Sequence, residues 1–247
     1  MRKTYQVLVG MLLLTLVCSV LACRVLANQA TEEVPGKEKT KKNYYVAPFT
    51  AIELTGVADV SFTQSDKVSV EVTGPENYLP FVVIESHDGV LKVNTRKIGN
   101  KRVGKGLEVK IAAPVLQRLS NRGVGDFKTT NPLKTDRLWV DNLGVGDTRL
   151  TGLECDSLTV NHRGVGDLRL SGTAIKAAYT ARGVGDVDAK ELKAEDVSLE
   201  HTGVGDISCY ASKTIRIISK GVGDVIYYGN PQVLGMSKKG VGSLESK

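Results

Sequence analysis

The chain has 247 residues, with 33 Lys and Arg against 27 Asp and Glu and a formal net charge of +6. Hydrophobic residues make up 41% and charged residues 24% of the composition, which excludes a disordered chain and allows a sizeable core. Four cysteines without paired spacing exclude a disulfide scaffold and a zinc ribbon.

The N-terminus has the features of an export signal. Arg2 and Lys3 precede an apolar stretch at residues 7–22, which is shorter than the ~20 residues of a membrane-spanning helix. Cleavage after Ala27 would make residues 1–27 a signal peptide. Alternatively, residues 20–23 resemble a bacterial lipobox, and cleavage before Cys23 would leave Cys23 lipidated. Either route places the mature protein outside the cytoplasm.

The segment that follows the signal is polar. Residues 28–47 carry many Lys and Glu and show no apolar period, which predicts a linker that holds a folded domain off a membrane. We expect the folded domain at residues 48–247, with a less regular β part at 48–113 and regular repeats at 114–247.

A repeated tetrapeptide dominates the second half of the chain. Gly-Val-Gly-Asp begins at residues 123, 144, 164, 183, 203 and 221, and Gly-Val-Gly-Ser begins at residue 240. The steps between copies are 18 to 21 residues, and near-equal steps of this length indicate a solenoid.

Apolar and polar residues alternate on both sides of each motif. Leu158 and Val160 precede one copy, and Leu168 and Leu170 follow it. This period of two is typical of strands, whereas a helical repeat needs apolar residues at i, i+3, i+4 and i+7. The sequence therefore predicts an all-β fold, a parallel β-solenoid with one repeat of about 20 residues per coil.

The motif itself predicts a corner of each coil. Both glycines would allow positive φ there, and the valine between them would point inward and form an apolar column. The residues with this predicted structural role are Gly123, Val124, Gly144, Val145, Gly164, Val165, Gly183, Val184, Gly203, Val204, Gly221 and Val222. We expect the 48–113 segment to cover one end of the stack, because an open solenoid end invites association.

Several of these features together resemble a known family. The opening strand Phe49–Ile52, the run Asp59–Phe62 and the tandem Gly-Val-Gly-Asp coils are similar to the putative auto-transporter adhesin, head GIN domain family. The resemblance implies a right-handed β-helix in a Gram-negative envelope, either as an outer-membrane or cell-surface lipoprotein or in the periplasm. It supplies no catalytic residues and implies no cofactor.

The motif aspartates form a candidate ladder along the stack. Neighbouring carboxylates ~4.8 Å apart repel each other, so something must offset the repulsion. A row of cations is one possibility, although calcium-binding β-rolls use a different spacing. The favoured interpretation is that each carboxylate accepts a backbone N–H at the corner, helped by basic residues that precede the motif. The aspartates concerned are Asp126, Asp147, Asp167, Asp186, Asp206 and Asp224.

A second candidate site lies around the single tryptophan. Trp139 occupies an outward column, and Asp141, Thr159 and Asn161 fall beside it. An indole among hydroxyl, amide and carboxylate groups is a plausible platform for a glycan. The only strongly basic run, residues 96–110, is interpreted as a solvated hairpin tip, so no nucleic-acid partner is predicted.

These observations predict a non-catalytic binding module of the cell envelope, adhesin-like, with a glycan or a surface protein as its partner. Acylation of Cys23 would add a membrane contact. One alternative is a β-helix enzyme that degrades polysaccharides, although no nucleophile–base arrangement is visible in the sequence. The other alternative is a purely structural envelope lipoprotein.

Overall fold

The computed structural model describes residues 36, 38–96 and 106–247. The described residues form 17 β-strands in one hydrogen-bonded network. The strands of the first part are β1 (Lys39–Tyr44), β2 (Ala51–Leu54), β3 (Asp59–Gln64), β4 (Ser69–Pro75), β5 (Val82–His87), β6 (Val90–Thr95) and β7 (Glu108–Ala113), with a 3-10 turn at Leu79–Phe81. The remaining strands are β8 (Arg118–Asn121), β9 (Phe127–Thr129), β10 (Leu133–Asn142), β11 (Thr148–His162), β12 (Leu168–Ala181), β13 (Val187–His201), β14 (Ile207–Ser219), β15 (Val225–Tyr228), β16 (Gln232–Lys238) and β17 (Leu244–Ser246).

From β8 onward the strands stack in parallel, each on its counterpart about 20 residues later. Val140 pairs with Val160, which pairs with Tyr179 and then with Leu199 in the next two coils. This register repeats equivalent residues at the strand spacing of ~4.8 Å. The prediction of an all-β, parallel β-solenoid is confirmed.

The core is a continuous apolar column inside the coils. The alternating residues predicted to point inward are buried, with Leu158, Val160, Leu168 and Leu170 each at most 3% exposed. In the last coil, Met236 lies on Ile217 but is 45% exposed, because no further described strand covers it. The period-two pattern therefore locates the core correctly wherever a coil has neighbours on both sides.

The motif valines do not belong to this core, and the prediction that they point inward is wrong. Each of the six is 42% to 52% exposed. The alternation that buries Leu158, Val160 and His162 continues to Gly164, so the next residue, Val165, faces solvent. The same correction applies to the whole set: Val124, Val145, Val165, Val184, Val204 and Val222.

The first part of the chain covers one end of the solenoid. Strands β6 and β7 form an outer coil that pairs in parallel with β2 and β3. Antiparallel strands then close this end, with β5 on β6, β4 on β7 and β1 on β4. Strands β6 and β7 therefore follow each other around one coil, and within the described part of the chain they are not paired with each other. Residues 97–105 of the basic run between them lie outside the described residues.

The folded part begins before residue 48. Residues 39–44, assigned to the linker from their polarity, form β1. Lys41 Nζ lies 3.3 Å from Oε1 of Glu71 in β4, and Tyr44 packs against the core. A strand at the edge of a sheet can be almost wholly polar because it buries little of its surface. The proposed signal peptide, Cys23 and residues 28–35 lie outside the described residues.

A buried column, polar in every coil from Asn121 to Ser219 except at Ala181, runs beneath the corner two residues before the motif. It contains Asn121, Asn142, His162, His201 and Ser219, all at most 2% exposed. Asn142 Nδ2 lies 3.3 Å from His162 Nδ1. Burial lowers the pKa of His162 and of His201, and nearby backbone hydrogen bonds oppose the shift only in part. Both imidazoles therefore resist protonation in the folded state.

This column predicts a loss of stability in mild acid. The folded-state pKa of each buried histidine lies below its unfolded value of ~6.5, so the unfolded chain binds the proton more readily. The free energy of unfolding should be fully present above about pH 6.5 and should fall as the pH decreases below it. Urea unfolding at about pH 7.5 and about pH 5 measures the difference.

The histidine variants separate this effect from general acid sensitivity. The double variant His162→Gln/His201→Gln should lose most of the difference between the two pH values. His87→Gln is the matched control, because His87 is exposed at the end of β5. The explanation is wrong if the double variant keeps the full pH difference of the wild-type protein.

Candidate functional site

The motif copies form one corner of the solenoid along its described length. Parallel β-bridges connect the motif valines from Val57 through Val124 to Val241. At each step two backbone hydrogen bonds cross between coils, as from Val184 N–H to Gly164 O and from Gly166 N–H to Val184 O, both at 3.0 Å. The corner is therefore a continuous hydrogen-bonded ladder.

The two glycines of the motif are required for different reasons. A Cβ on Gly183 would collide with the carbonyl oxygen of Gly164 in the preceding coil, although the φ of Gly183 is not positive. The second glycine, Gly185, has a φ of +135° and would also collide with a carbonyl oxygen, that of Gly166. The prediction of positive φ therefore holds only for the second glycine. The first glycine of each copy is required only because the backbone of the preceding coil leaves no room for a Cβ. These glycines are Gly123, Gly144, Gly164, Gly183, Gly203 and Gly221.

Each motif aspartate holds the next coil. Asp167 Oδ1 accepts the backbone N–H of Asp186 at 3.1 Å, and Asp186 Oδ1 accepts that of Asp206 at 2.8 Å. The series begins with Asp59 and ends with Asp224, whose Oδ1 accepts the N–H of Ser243. That hydrogen bond lowers the pKa of Asp224. One oxygen of each carboxylate is thus engaged in the corner, which offsets part of the repulsion along the ladder.

One basic residue that follows a motif, Arg169, forms an ion pair with this ladder, and among the described residues no basic residue that precedes a motif does so. Arg169 Nη2 lies 3.5 Å from Asp167 Oδ2, whereas Arg182, which precedes a motif, pairs with Glu200 instead. Within residues 36, 38–96 and 106–247, no group of three or more His, Cys, Asp or Glu is placed to hold a metal ion. Ladder carboxylates on successive coils are spread along a line and do not converge on a point.

The residues around Trp139 do come together. Trp139 pairs in register with Arg118 on one side and Thr159 on the other, and Asp141 pairs with Asn161. Asp141 Oδ2 accepts from Arg118 Nη2 and Asp141 Oδ1 accepts from Asn161 Nδ2, both at 2.9 Å. The Arg118 guanidinium lies 5.9 Å from the centre of the indole ring. We call Arg118, Trp139, Asp141, Thr159 and Asn161 the tryptophan ledge.

The columns next to the ledge carry small side chains. Thr159 is followed in its column by Ala178 and Ser198, and Asn161 is followed by Thr180. Trp139 is 43% exposed at one end of this surface. The ledge therefore offers one aromatic face, a hydroxyl and an amide, with Asp141 already satisfied at both oxygens.

The structure also shows a groove that the sequence analysis missed. It encloses about 570 Å³ on the face after the motif and is lined by Lys110, Lys128 and Arg149 together with Asp59 and Asp126. Lys128, Arg149 and Arg169 stack on successive coils. Their shared position in the sequence, two residues after the motif aspartate, could have predicted this column. The groove mixes basic groups with motif aspartates that already accept backbone N–H groups and with Glu108, whose Oε1 lies 3.5 Å from Lys39 Nζ.

The two buried cysteines lie in the core. Cys155 and Cys209 are both free thiols, and burial raises their pKa to about 11 and about 12 respectively. A buried thiol with a raised pKa is a poor nucleophile. Neither residue contributes to the ledge or to the groove.

A family model described as "Putative auto-transporter adhesin, head GIN domain" matches residues 48–231 of the chain. A search of curated proteins finds no match.

Several solved structures are similar to this chain. A putative adhesin from Bacteroides fragilis NCTC 9343 is 35% identical, with a TM-score of 0.83, over 86% of this chain and 99% of that chain. A putative adhesin from Parabacteroides distasonis ATCC 8503 is 25% identical, with a TM-score of 0.65, over 85% and 97%. A putative lipid binding protein from the same organism is 23% identical, with a TM-score of 0.62, over 86% and 98%, and shows the shared fold alone.

The aspartate ladder generates a prediction that separates a structural role from cation binding. Asp186→Asn keeps an oxygen that can accept the Asp206 N–H and removes repulsion, so it should be roughly neutral. Asp186→Ala should cost about 1 kcal/mol of unfolding free energy through the lost hydrogen bond. Asp136→Ala, at an exposed aspartate outside the corner, is the matched control and should have little effect.

Thermal melts with excess calcium and with chelator complete this test. We expect the same melting temperature in both conditions for wild-type protein and for Asp186→Asn. A calcium-dependent rise in the wild type that disappears in Asp186→Asn would instead identify the ladder as a cation site.

Proposed function

Because the chain belongs to the putative auto-transporter adhesin, head GIN domain family, we propose that it is an adhesin-like, non-catalytic binding module of the cell envelope. We propose further that the tryptophan ledge binds a glycan. The observation that carries this second step is a half-exposed tryptophan whose ring lies beside the Arg118 guanidinium on a face with small polar side chains.

The organisation of the ledge supports glycan binding. Indole is the largest apolar side chain, and leaving it exposed forgoes the stabilisation that burial would give. Here the ring is held beside Arg118, and Arg118 is held by Asp141. An aromatic face that is already ordered loses little conformational entropy when a ligand stacks on it. The neighbouring Thr159 and Asn161 offer hydrogen-bonding groups at the same level of the sheet.

Export and anchoring form the second part of the proposal. Membership of an adhesin family favours an extracellular or envelope location. The export features of residues 1–27 support the same location, and the lipobox-like residues 20–23 support acylation of Cys23. Among the described residues, no helix has the length and apolarity required to cross a membrane. In this proposal, a lipid on Cys23 attaches the protein to the membrane.

The groove on the face after the motif is the feature most relevant to the enzyme alternative. Its aspartates Asp59 and Asp126 each use Oδ1 to hold the next coil. A carboxylate with this structural role is a poor candidate for proton transfer, because protonation would weaken the corner. The purely structural alternative offers no reason for an ordered, exposed tryptophan.

The first prediction of this proposal concerns the ligand. A glycan array and a panel of extracellular-matrix proteins should identify a carbohydrate that binds the purified protein. Since Trp139 is the only tryptophan in the sequence, titration with that carbohydrate should change the intrinsic tryptophan fluorescence. Trp139→Ala should weaken binding at least about tenfold, equivalent to about 1.4 kcal/mol.

A matched variant tests whether the ledge is specific. Ile175→Ala removes another large exposed side chain, 45% exposed, from a different part of the surface and should bind as the wild type does. Trp139→Ala should melt close to the wild-type temperature, because it removes no core contact. Glycan binding of wild-type strength by Trp139→Ala would exclude the ledge.

The second prediction concerns Cys23. Cells that express the protein should incorporate a labelled fatty acid into it, and Cys23→Ser should abolish the label. Cys18→Ser, which changes a cysteine within the apolar stretch, is the control and should remain labelled. An unlabelled wild-type protein that begins at Asn28 would show instead that the signal peptide is removed after Ala27.

A further inference from the structure

The exposed motif valines form an unusual apolar surface. They run on successive coils and are 42% to 52% exposed from Val124 to Val222, rising to 70% at Val241. Threonine has nearly the same shape and a similar preference for strands, and it would place a hydroxyl in the solvent. Yet every one of the eight bridged positions from Val57 to Val241 is valine. A contiguous apolar surface of this kind is typical of an interaction site.

Charged columns of opposite sign flank the valines. On one side, immediately before the motif, lies a basic column that contains Arg122, Arg163, Arg182, Lys220 and Lys239. On the other side lies the aspartate ladder, in which each Oδ1 is engaged with the next coil. We call the valines together with these two columns the valine ridge. Across the ridge the order is basic, apolar, acidic at four of the eight levels, those of Val124, Val165, Val184 and Val222.

We propose that the valine ridge binds a second copy of this chain, with the two solenoid axes parallel. Rotation by 180° about an axis parallel to the solenoid brings valine against valine. The same rotation places the basic column of each copy opposite the acidic column of the other. Such an interface is isologous, and it is complementary in charge at the four levels that carry both a basic residue and an aspartate.

The charge pattern also selects the direction of the second copy. If one solenoid were inverted, basic columns would face basic columns and carboxylates would face carboxylates. Like charges placed opposite each other are destabilising and exclude a partner arrangement. The ridge therefore specifies a parallel pair and disfavours the antiparallel one.

The dimensions of the ridge indicate a weak dimer. Eight levels at the strand spacing of ~4.8 Å extend over about 34 Å, and five residues across extend over about 15 Å. The area is about 500 Å² per copy, below the ~800 Å² per partner of a standard stable interface. We therefore expect association in the micromolar range that strengthens when both copies are held on one membrane.

Sedimentation analysis of the purified protein over a range of concentrations tests association. We expect a monomer–dimer equilibrium. The triple variant Val165→Thr/Val184→Thr/Val204→Thr should raise the dissociation constant at least about tenfold while it keeps the shape of each side chain. Ile175→Thr, at an exposed residue outside the ridge, is the matched control and should leave the equilibrium unchanged.

The charge columns are tested with separate variants. Arg163→Glu/Lys220→Glu should also weaken the dimer about tenfold or more, and high salt should weaken the wild-type dimer. These positions are preferable to Arg182, which already pairs with Glu200 in its own chain. A protein that stays monomeric at all concentrations, or a dimer that none of these changes weakens, would overturn the proposal.

Cross-linking determines the direction of the pair. Facing sheets pack ~10 Å apart, beyond the ~7 Å Cα separation of a disulfide, so a short bismaleimide is the suitable reagent. In a parallel pair, Val124→Cys and Val222→Cys should each cross-link to themselves. In an antiparallel pair, only a mixture of the two variants would react, because equal positions would lie about five levels apart. That second outcome would overturn the parallel arrangement.

The protein without an added cysteine is the control for Cys23 and the buried thiols. The ridge and the tryptophan ledge are separate surfaces, so their experiments give independent answers. The valine variants should keep their glycan binding, and Trp139→Ala should keep its monomer–dimer equilibrium.

Discussion

Contact between backbones at the Gly-Val-Gly-Asp corner is the constraint on which the rest of this solenoid depends. At each level the first glycine sits on the carbonyl oxygen of the equivalent glycine below, too close for any Cβ. The aspartate that ends the motif then ties its own coil to the following one through Oδ1. The corner thus fixes the register between coils, and this register places every other column of side chains.

The regular register determines how chemical groups are arranged on the surface. Equivalent residues repeat along the axis, so chemical groups accumulate in lines: aspartates, valines, basic residues and small hydroxyl residues. Lines of this kind suit extended contacts with a polymer or with another solenoid. One compact constellation appears where the repeat is broken at Trp139, whose neighbours Arg118 and Thr159 in the same column are polar. The proposed glycan site is such a break.

The interior is not purely apolar, and its polar residues also lie in a line along the axis. The inward position beneath the corner is polar in most coils, and burial lowers the pKa of His162 and of His201 there. Ala181 lies between them in the column, so the two imidazoles are separated by one coil and do not form a pair. We therefore expect this column to make the fold sensitive to acid.

The amino-acid sequence by itself determined the architecture. The spacing of the motif and the period-two alternation of residues such as Leu158 and Val160 specify parallel coils, because both depend only on local chain geometry. The sequence also brought Trp139, Asp141, Thr159 and Asn161 together correctly, since residues one repeat apart stack in a solenoid.

Only the tertiary structure decided which way the motif valines face. His162 is polar although it points inward, so the sequence does not reveal the alternation that turns Val165 outward. A valine can lie on either face of a strand, and how much of it is covered depends on its neighbours in the fold. The order of the capping strands was likewise beyond the sequence, because β6 and β7 pair with strands that precede them by many residues.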